Sequence, residues 1–325
     1  METLTNINLW GIILAGGEGT RLRDFIKKIY GYDRPKQFCT IIGNRSMVRQ
    51  TLDRAKKIIS PGKIITVVNQ AHDRFIQEEF TNDGYANLLY QPRPRETTAG
   101  ILFPLFEIVN RSSGAIAVIF PSDHFIAEEE KFINHLKDAV KFCASHPDRI
   151  VLLGIRAHNR EKGYGWIEKG DVITHSSDNA VYRVAHFWEK PQKKLLNKVY
   201  NDGCLWNTFI VIGSVRNLIH KIKMTVPEVF NPFNRYFESC QRGGPHSHLK
   251  DVFDSIPTMN FSESVLQQIS EILAVFEIPD VYWSDWGDEH RIRKDVERFK
   301  LECTLPRGRF RPGVHEYNKG HLKLS

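Results

Sequence analysis

Leu9-Trp10-Gly11-Ile12-Ile13-Leu14-Ala15-Gly16-Gly17-Glu18-Gly19-Thr20-Arg21-Leu22 runs a short apolar segment, Leu9–Leu14, directly into a loop with three glycines. An apolar run of this length closed by glycine reads as a buried strand, since a helix needs roughly ten residues or more. Glycine has no Cβ, so backbone N–H groups can approach an anion closely and φ can turn positive. Arg21 adds a cation at the loop's end. A strand, an anion-holding loop and a nearby cation suit a nucleoside triphosphate. Neither common fingerprint is complete: the dinucleotide pattern G-x-G-x-x-G meets Leu22 at its last position, and the P-loop pattern G-x-x-x-x-G-K-[ST] is absent. On its own the loop reads equally well as a tight turn.

Outward from this loop, strand-like and helix-like segments alternate. Ser46 can cap a helix carrying Met47, Val48, Leu52, Ala55 and Ile58. Ile64–Val68 reads as a strand, Ala71–Phe80 as a helix, Asn87–Tyr90 as a strand, and the region 98–110 as a helix. Ala115–Phe120 is a strand ended by Pro121-Ser122-Asp123-His124, followed by a helix near 129–143 and the strand Ile150–Leu153. This order implies βαβ units: an α/β, Rossmann-like, mixed but mainly parallel sheet flanked by helices. The second half is less regular, with strands at Gly163–Glu168, Val181–Trp188 and Leu205–Ile212, a helix at Val215–Met224, and a Gly- and His-rich loop at Cys240–His248. These form a smaller, mixed subregion. No repeat is present.

The 325 residues carry 45 Lys+Arg against 38 Asp+Glu, a formal charge of +7. That favours polyanionic partners without choosing among nucleic acid, a membrane surface or small phosphates. No apolar run reaches the roughly 20 residues of a membrane span. The N-terminus has Glu2 and no basic run, and five scattered cysteines include no CxxC pair. The expectation is a cytoplasmic chain with neither a membrane span nor a zinc or redox pair.

Further along the chain from the glycine loop lies Arg34-Pro35-Lys36-Gln37-Phe38. The composite LAGGEGTRL…RPKQF resembles the signature of sugar-phosphate nucleotidyltransferases, above all the mannose-1-phosphate guanylyltransferases. One departure is Arg23-Asp24, where that family has Trp-Pro. The resemblance implies that Leu14, Ala15, Gly16, Gly17, Gly19, Thr20, Arg21 and Lys36 hold the nucleotide, with Arg21 and Lys36 on its phosphates. In such chemistry two anions must meet, so a divalent cation is expected, and magnesium takes one or two carboxylates plus substrate oxygens and waters. Asp123, in a P-[AS]-D-H element beyond a buried strand, and Asp285, in the W-x-D-x-G segment Trp283-Ser284-Asp285-Trp286-Gly287, match the family's metal ligands. Asp288 misses the matching position. A hydrogen-bonding role in orienting the loop suits His124 better than that of a base, because a phosphate nucleophile is already ionised near neutral pH.

Three further segments resemble the family's sugar-phosphate half. Glu189-Lys190-Pro191 resembles F-x-EKP, and implies Lys190 on the sugar phosphate. Lys162-Gly163-Tyr164-Gly165-Trp166-Ile167-Glu168 resembles TGYGYIE, and implies Gly165 and Glu168 beside the sugar. Leu205-Trp206-Asn207-Thr208-Phe209 resembles LWNSGMF, and implies Asn207 on its hydroxyls, with Phe209 in place of the glycine. Gln91–Ile101 resembles EP-x-x-RNTAPAI, with Glu96 where Asn is usual. The implied activity is transfer of a nucleotidyl group from an NTP, with GTP favoured, to a sugar 1-phosphate, with mannose favoured, releasing pyrophosphate. Arg21, Lys36, Asp123 and Lys190 are the catalytic candidates, and Mg2+ is held by Asp123 and Asp285. Alternatives left open are glucose or heptose 1-phosphate, the bases of dTTP, CTP or UTP, and a non-catalytic nucleotide-sugar-binding paralogue. A nucleic-acid binder ranks last, because the charge is spread rather than clustered with aromatics. A homodimer is left open. One catalytic domain over 1–292 is expected, then a C-terminal helix and basic tail over 293–325, where Arg307, Arg309 and Arg311 stand.

Overall fold

Eleven strands are present among the described residues: β1 (Leu9–Ala15), β2 (Ile64–Asn69), β3 (Asn87–Gln91), β4 (Ile116–Pro121), β5 (Phe125–Ile126), β6 (Ile150–Arg156), β7 (Gly165–Ser176), β8 (Asn179–Glu189), β9 (Leu205–Ser214), β10 (Leu273–Glu277) and β11 (Trp283–Ser284). These come from a computed structural model that describes residues 4–81, 87–176, 179–243 and 248–302. The basic tail with its three arginines lies outside those residues, as does part of the Gly- and His-rich loop. Nine strands form one sheet in the order β3-β2-β1-β4-β9-β6-β10-β8-β7, and β5 pairs with β11. β3, β2, β1 and β4 are mutually parallel. β9 runs antiparallel to both β4 and β6, and β10 lies parallel to β6. The sheet is therefore mixed and mainly parallel, and the irregular second half continues it rather than forming a separate body.

Eleven α-helices accompany these strands among the described residues: α1 (Arg23–Tyr30), α2 (Met47–Lys56), α3 (Asp73–Phe80), α4 (Glu96–Arg111), α5 (Glu129–Ser145), α6 (Lys193–Asn201), α7 (Val215–Thr225), α8 (Pro227–Gln241), α9 (Leu249–Ser255), α10 (Phe261–Ser264) and α11 (Glu289–Arg298). β2 and β4 are buried along their whole length, as strands covered on both faces must be. One core packs α2 and α5 against the face carrying Ile13, Val118 and Phe120. The other packs α4, α7, α8 and α9 against the face carrying Ile12, Val67 and Ile119. A third, smaller core joins Phe25 and Ile26 of α1 to Phe125, Trp286 and Ile292 of α11. The boundary expected at 292/293 thus falls inside a packed helix.

The sheet's register places the two halves of the site together. Beyond the end of β4, β9 pairs with the start of β7, Trp166 opposite Trp206 and Ile167 opposite Leu205. β7 takes up the edge that β4 leaves. The residues following β4, including Asp123, are thereby brought near Gly165 and the segment that pairs with it. No described helix is long and apolar enough to cross a membrane.

Candidate active site

A cleft of about 490 Å3 opens over the carboxyl ends of β1 to β4, lined by Leu14, Gly16, Gly17, Gly19, Thr20 and Arg21, with Lys36 and Asp123 at one side. Ligands of open α/β sheets bind at such ends. Two glycines of the loop are required by close approach. Gly19 has φ +62°, and a Cβ there would lie 3.1 Å from the backbone N of Lys36. A Cβ on Gly16 would lie 2.8 Å from Gln91 Oε1. Ala15 does not line the cleft; its side chain is wholly buried.

Gln37, itself almost fully buried, donates from Nε2 to the carbonyls of Ala15 and Gly17, both at 2.8 Å. This ties two loop carbonyls to the protein rather than leaving them turned toward an anion. Arg34 steadies the same turn: its Nε donates to the Phe38 carbonyl at 2.8 Å, its guanidinium stacks 5.1 Å from the Phe75 ring centre, and it pairs with Glu78 at 2.9 Å. The RPKQF segment is therefore a clamp on the glycine loop as well as a source of charge.

Lys36 is buried, and its Nζ donates to Asp123 Oδ2 at 2.9 Å and to the backbone carbonyl of Asp285. The structure brings Lys36 to the carboxylates as well as to the cleft. Burial opposes the charge on Asp123, but the Lys36 ammonium beside it more than offsets this and holds the carboxyl below the usual carboxylate range. Burial likewise opposes the charge on Asp285, and Lys36 and Arg291 hold it low. Asp285 Oδ1 is enclosed by Tyr164 Oη at 3.1 Å, the Gly287 N–H at 2.8 Å and the Arg291 guanidinium. Its Oδ2 faces Arg21, whose Nη2 is 3.8 Å away. His124 is pushed down to about 4, by burial first, so it is neutral near pH 7; its Nδ1 lies 3.2 Å from the donating Trp283 indole N–H. Asp288 caps α11, accepting from Arg291 N at 2.9 Å.

Two ionised carboxylates, Asp123 lining the cleft and Asp285 beside it, are hard oxygen donors of the kind magnesium takes. Among the described residues no group of three or more His, Cys, Asp or Glu forms a metal cage. Asp123 and Asp285 thus suit a cation whose remaining ligands are substrate and water oxygens.

The sugar-phosphate candidates divide between the two faces of the sheet. Gly165 pairs with Glu189 across the β7–β8 ladder, and a Cβ on Gly165 would meet Glu189 Oε2 at 3.1 Å and Asn207 Cβ at 3.3 Å. Gly165, Glu189 and Asn207 therefore cluster, on the face that also carries Ile167 and Phe187 of the α4 core. Lys190 follows directly, with φ +46° and its Nζ 2.9 Å from Glu189 Oε1. Glu168 is not brought to this cluster. Side chains alternate along a strand, so a residue three positions on points to the opposite face. There Glu168 Oε2 lies 2.9 Å from His186 Nδ1, beside Trp166 and Trp188.

Three residues near the site escape motif reading. Gln91 is buried in the cleft wall, and its Nε2 has no hydrogen-bond partner. Glu189 is overshadowed within the EKP element by its lysine neighbour. Arg291 ties Asp285 to Glu161, at 2.7 Å, and stacks 4.7 Å from the Tyr164 ring centre. Positive-φ glutamate, phenylalanine and tryptophan also gather here: Glu96 at +59°, Phe209 at +60° and Trp286 at +44°. Left-handed backbone costs such residues roughly 1–2 kcal/mol each and concentrates at functional sites.

A family model described as nucleotidyl transferase matches residues 10–295. An Escherichia coli mannose-1-phosphate guanylyltransferase is 25% identical over 282 residues, covering 85% of this chain and 59% of its own. The Xanthomonas campestris (strain B100) xanthan biosynthesis protein XanB is 26% identical, covering 85% of this chain and 57% of its own. The chain thus spans less than two thirds of these relatives. Among solved structures, a Thermus thermophilus protein named mannose-1-phosphate geranyltransferase superposes with TM-score 0.75 at 19% identity, covering 91% of this chain and 80% of that one. The inositol-1-phosphate CTP transferase of T. maritima superposes with TM-score 0.56 at 14% identity, covering 90% and 94%. With a family model matched over most of its length and the corresponding fold, the chain belongs to the nucleotidyl transferase family.

Proposed function

We propose that the protein transfers a nucleotidyl group from a nucleoside triphosphate to a sugar 1-phosphate, releasing pyrophosphate. The observation that carries this reading is the pair of ionised carboxylates beside the glycine-loop cleft, with the Lys36 ammonium bonded to the Asp123 carboxylate and to the Asp285 backbone carbonyl. A sugar-phosphate oxygen attacks the α-phosphorus as the bond to the bridging oxygen of the β-phosphate breaks, and pyrophosphate leaves with that electron pair. Arg21 and Lys36 neutralise the triphosphate. Lys190 holds the sugar phosphate, while Glu189 and Asn207 accept from and donate to its hydroxyls. Asp123 and Asp285 would hold magnesium, which when bound screens the two anions from each other and orients them in line. No side chain need act as base, since the nucleophile is already ionised.

Mannose 1-phosphate and GTP are the favoured pair, supported by the guanylyltransferases that the chain resembles at about a quarter identity. A specific observation keeps the base open. The unpartnered Gln91 Nε2 offers N–H donors, which a pyrimidine carbonyl can accept as well as guanine O6. A pyrophosphate-release screen of the four common NTPs against mannose, glucose and heptose 1-phosphates decides both. Release with GTP and mannose 1-phosphate above the other pairs supports the favoured substrates. Release with none of them overturns the reading.

A further inference from the structure

One wall of the glycine-loop cleft is the turn from β3 into α4, where Gln91, Pro94, Arg95, Glu96, Thr97 and Gly100 line the opening. Some of its polar side chains are already committed within the protein. Arg95 donates from Nε to the Phe253 carbonyl at 2.6 Å and from Nη2 to the Asp254 carbonyl at 3.2 Å, which turns its guanidinium toward α9. Thr97 Oγ1 accepts from the Phe261 N–H at 2.8 Å. Two groups remain without any partner. Gln91 is 4% exposed, and its Nε2 has none. Glu96 is exposed at the rim, and among the described residues its carboxylate takes part in no hydrogen bond or ion pair. The helix places the two together. A Cβ on Gly100 would lie 3.3 Å from Gln91 Nε2, so the amide rests against the second turn of α4. Glu96 stands four residues earlier on that helix, on the same face and one turn, ~6 Å, nearer the N-terminus. Gln91 thus presents N–H donors deep in the cleft, and Glu96 presents acceptors one turn above them. Glu96 holds this position at φ +59°, and such backbone strain is what functional sites retain.

We infer that Glu96 is the residue that selects the base, and that the base it selects is guanine. The inference deepens the proposed reaction and rests on it for the cleft's being a nucleoside triphosphate site. Guanine presents along one edge an acceptor, O6, and then two donors, N1–H and the 2-amino group. The wall presents the complement: N–H donors on Gln91 for O6, and a carboxylate on Glu96 for both donors. Hydrogen bonds to an ionised acceptor are the stronger kind, and two to one carboxylate also fix the orientation of the ring. The other bases misfit. Adenine turns an amino group to the Gln91 N–H groups and a ring lone pair to the carboxylate. Uracil and thymine place O2 where guanine has its 2-amino group, and cytosine offers lone pairs at both N3 and O2. Each mismatch sets an acceptor against an unpaired carboxylate, so the choice is made by repulsion as well as by attraction. Gln91 alone cannot make it, because its donors serve any carbonyl. Glu96 stands where the resembled pattern has Asn, whose amide carries a donor as well as an acceptor; a carboxylate accepts only.

The test titrates the whole chain with GTP, ITP and UTP by calorimetry, each with Mg2+ and without sugar phosphate, and compares wild type with Glu96→Gln. ITP keeps O6 and N1–H and lacks only the 2-amino group, so it isolates one of the two contacts to the carboxylate. Glu96 is exposed, so the variant should keep the wild-type melting temperature. Wild type should bind GTP about tenfold tighter than ITP, as loss of one hydrogen bond to a charged group predicts, and UTP more weakly still. Glu96→Gln should weaken GTP about tenfold or more, bring GTP and ITP within about threefold of each other, and leave UTP no weaker. Wild type that binds UTP as tightly as GTP, or a GTP affinity that Glu96→Gln leaves unchanged, overturns the inference. These readouts need no turnover, so the two readings fail separately. The expected binding pattern without pyrophosphate release from any sugar 1-phosphate would sink the proposed reaction and leave the base assignment standing. Release of pyrophosphate with a nucleotide preference that Glu96→Gln does not alter would do the reverse. A chain that binds none of the three nucleotides contradicts both.

Discussion

The parallel half of the sheet, β1 to β4, and the half built from β6 to β10 carry their site residues differently. In the first, the candidate residues follow strand ends. The glycine loop leaves β1 and is clamped by Gln37 through the Ala15 and Gly17 carbonyls, Asp123 leaves β4, and Lys36 joins the two regions by donating to Asp123. In the second, the candidate residues sit along strand faces, between β7, β8 and β9, where the direction of each side chain decides which of them cluster. Lys190 and Phe209, both with positive φ, belong to this half. A motif at a strand end needs only the right neighbours in sequence. A motif on a strand face also needs the right parity, and Glu168 fails that condition while Gly165 meets it.

Removing a carboxylate from the seam between the halves should have the largest effect. Asp123→Asn should lower turnover about 10²- to 10³-fold, the range seen when a preorganised charge partner is lost. A rate near wild type would remove the carboxylate pair from the account. Next, Lys190→Met should raise the KM for the sugar phosphate by roughly tenfold or more, as expected for a lost charged contact, and leave the KM for the triphosphate unchanged. An equal rise in both would mean the two halves do not divide the substrates.

The face assignment can be broken more finely. Glu189→Gln should raise the sugar-phosphate KM, and Glu168→Gln should not, because Glu168 lies across the sheet. The reverse ranking, measured by steady-state kinetics, would contradict the parity argument. The smallest effect is one of stability. Glu96 is exposed, with φ +59°, so Glu96→Asn loses no packing and relieves left-handed strain. Chemical denaturation should show a gain of about 0.5–1 kcal/mol, since Asn tolerates that region. A loss of stability would show that Glu96 is held by contacts rather than strained.

Much of this was legible beforehand, for physical reasons. The alternation of apolar strands and helices specifies a mainly parallel sheet, and the glycine loop and Asp123 follow the ends of β1 and β4, while Lys36 reaches the cleft from a short turn after α1. Leu273–Glu277 was harder: it forms a buried strand, yet an apolar run that short carries no decisive period. Helix α11 reads from sequence as a C-terminal helix from about 293 leading into a basic tail; the structure begins it at Glu289 and buries Ile292 and Asp295 among its charges. Its role in fixing Asp285 through Arg291 depends on a turn of chain that no pattern encodes. Gln91 looks like an ordinary strand end until the cleft leaves its amide without a partner. Phe209, which stands where the resembled pattern has glycine, has a left-handed backbone with φ +60°, a conformation its side chain does not announce in sequence.

The most direct test of the central claim is pyrophosphate release by the whole chain given GTP, mannose 1-phosphate and Mg2+, compared with the same mixture containing Asp123→Asn or excess EDTA. The account predicts steady release from the wild type that is nearly abolished by either change. Release that persists undiminished in both would contradict it, because the carboxylate pair would then have no part in the chemistry.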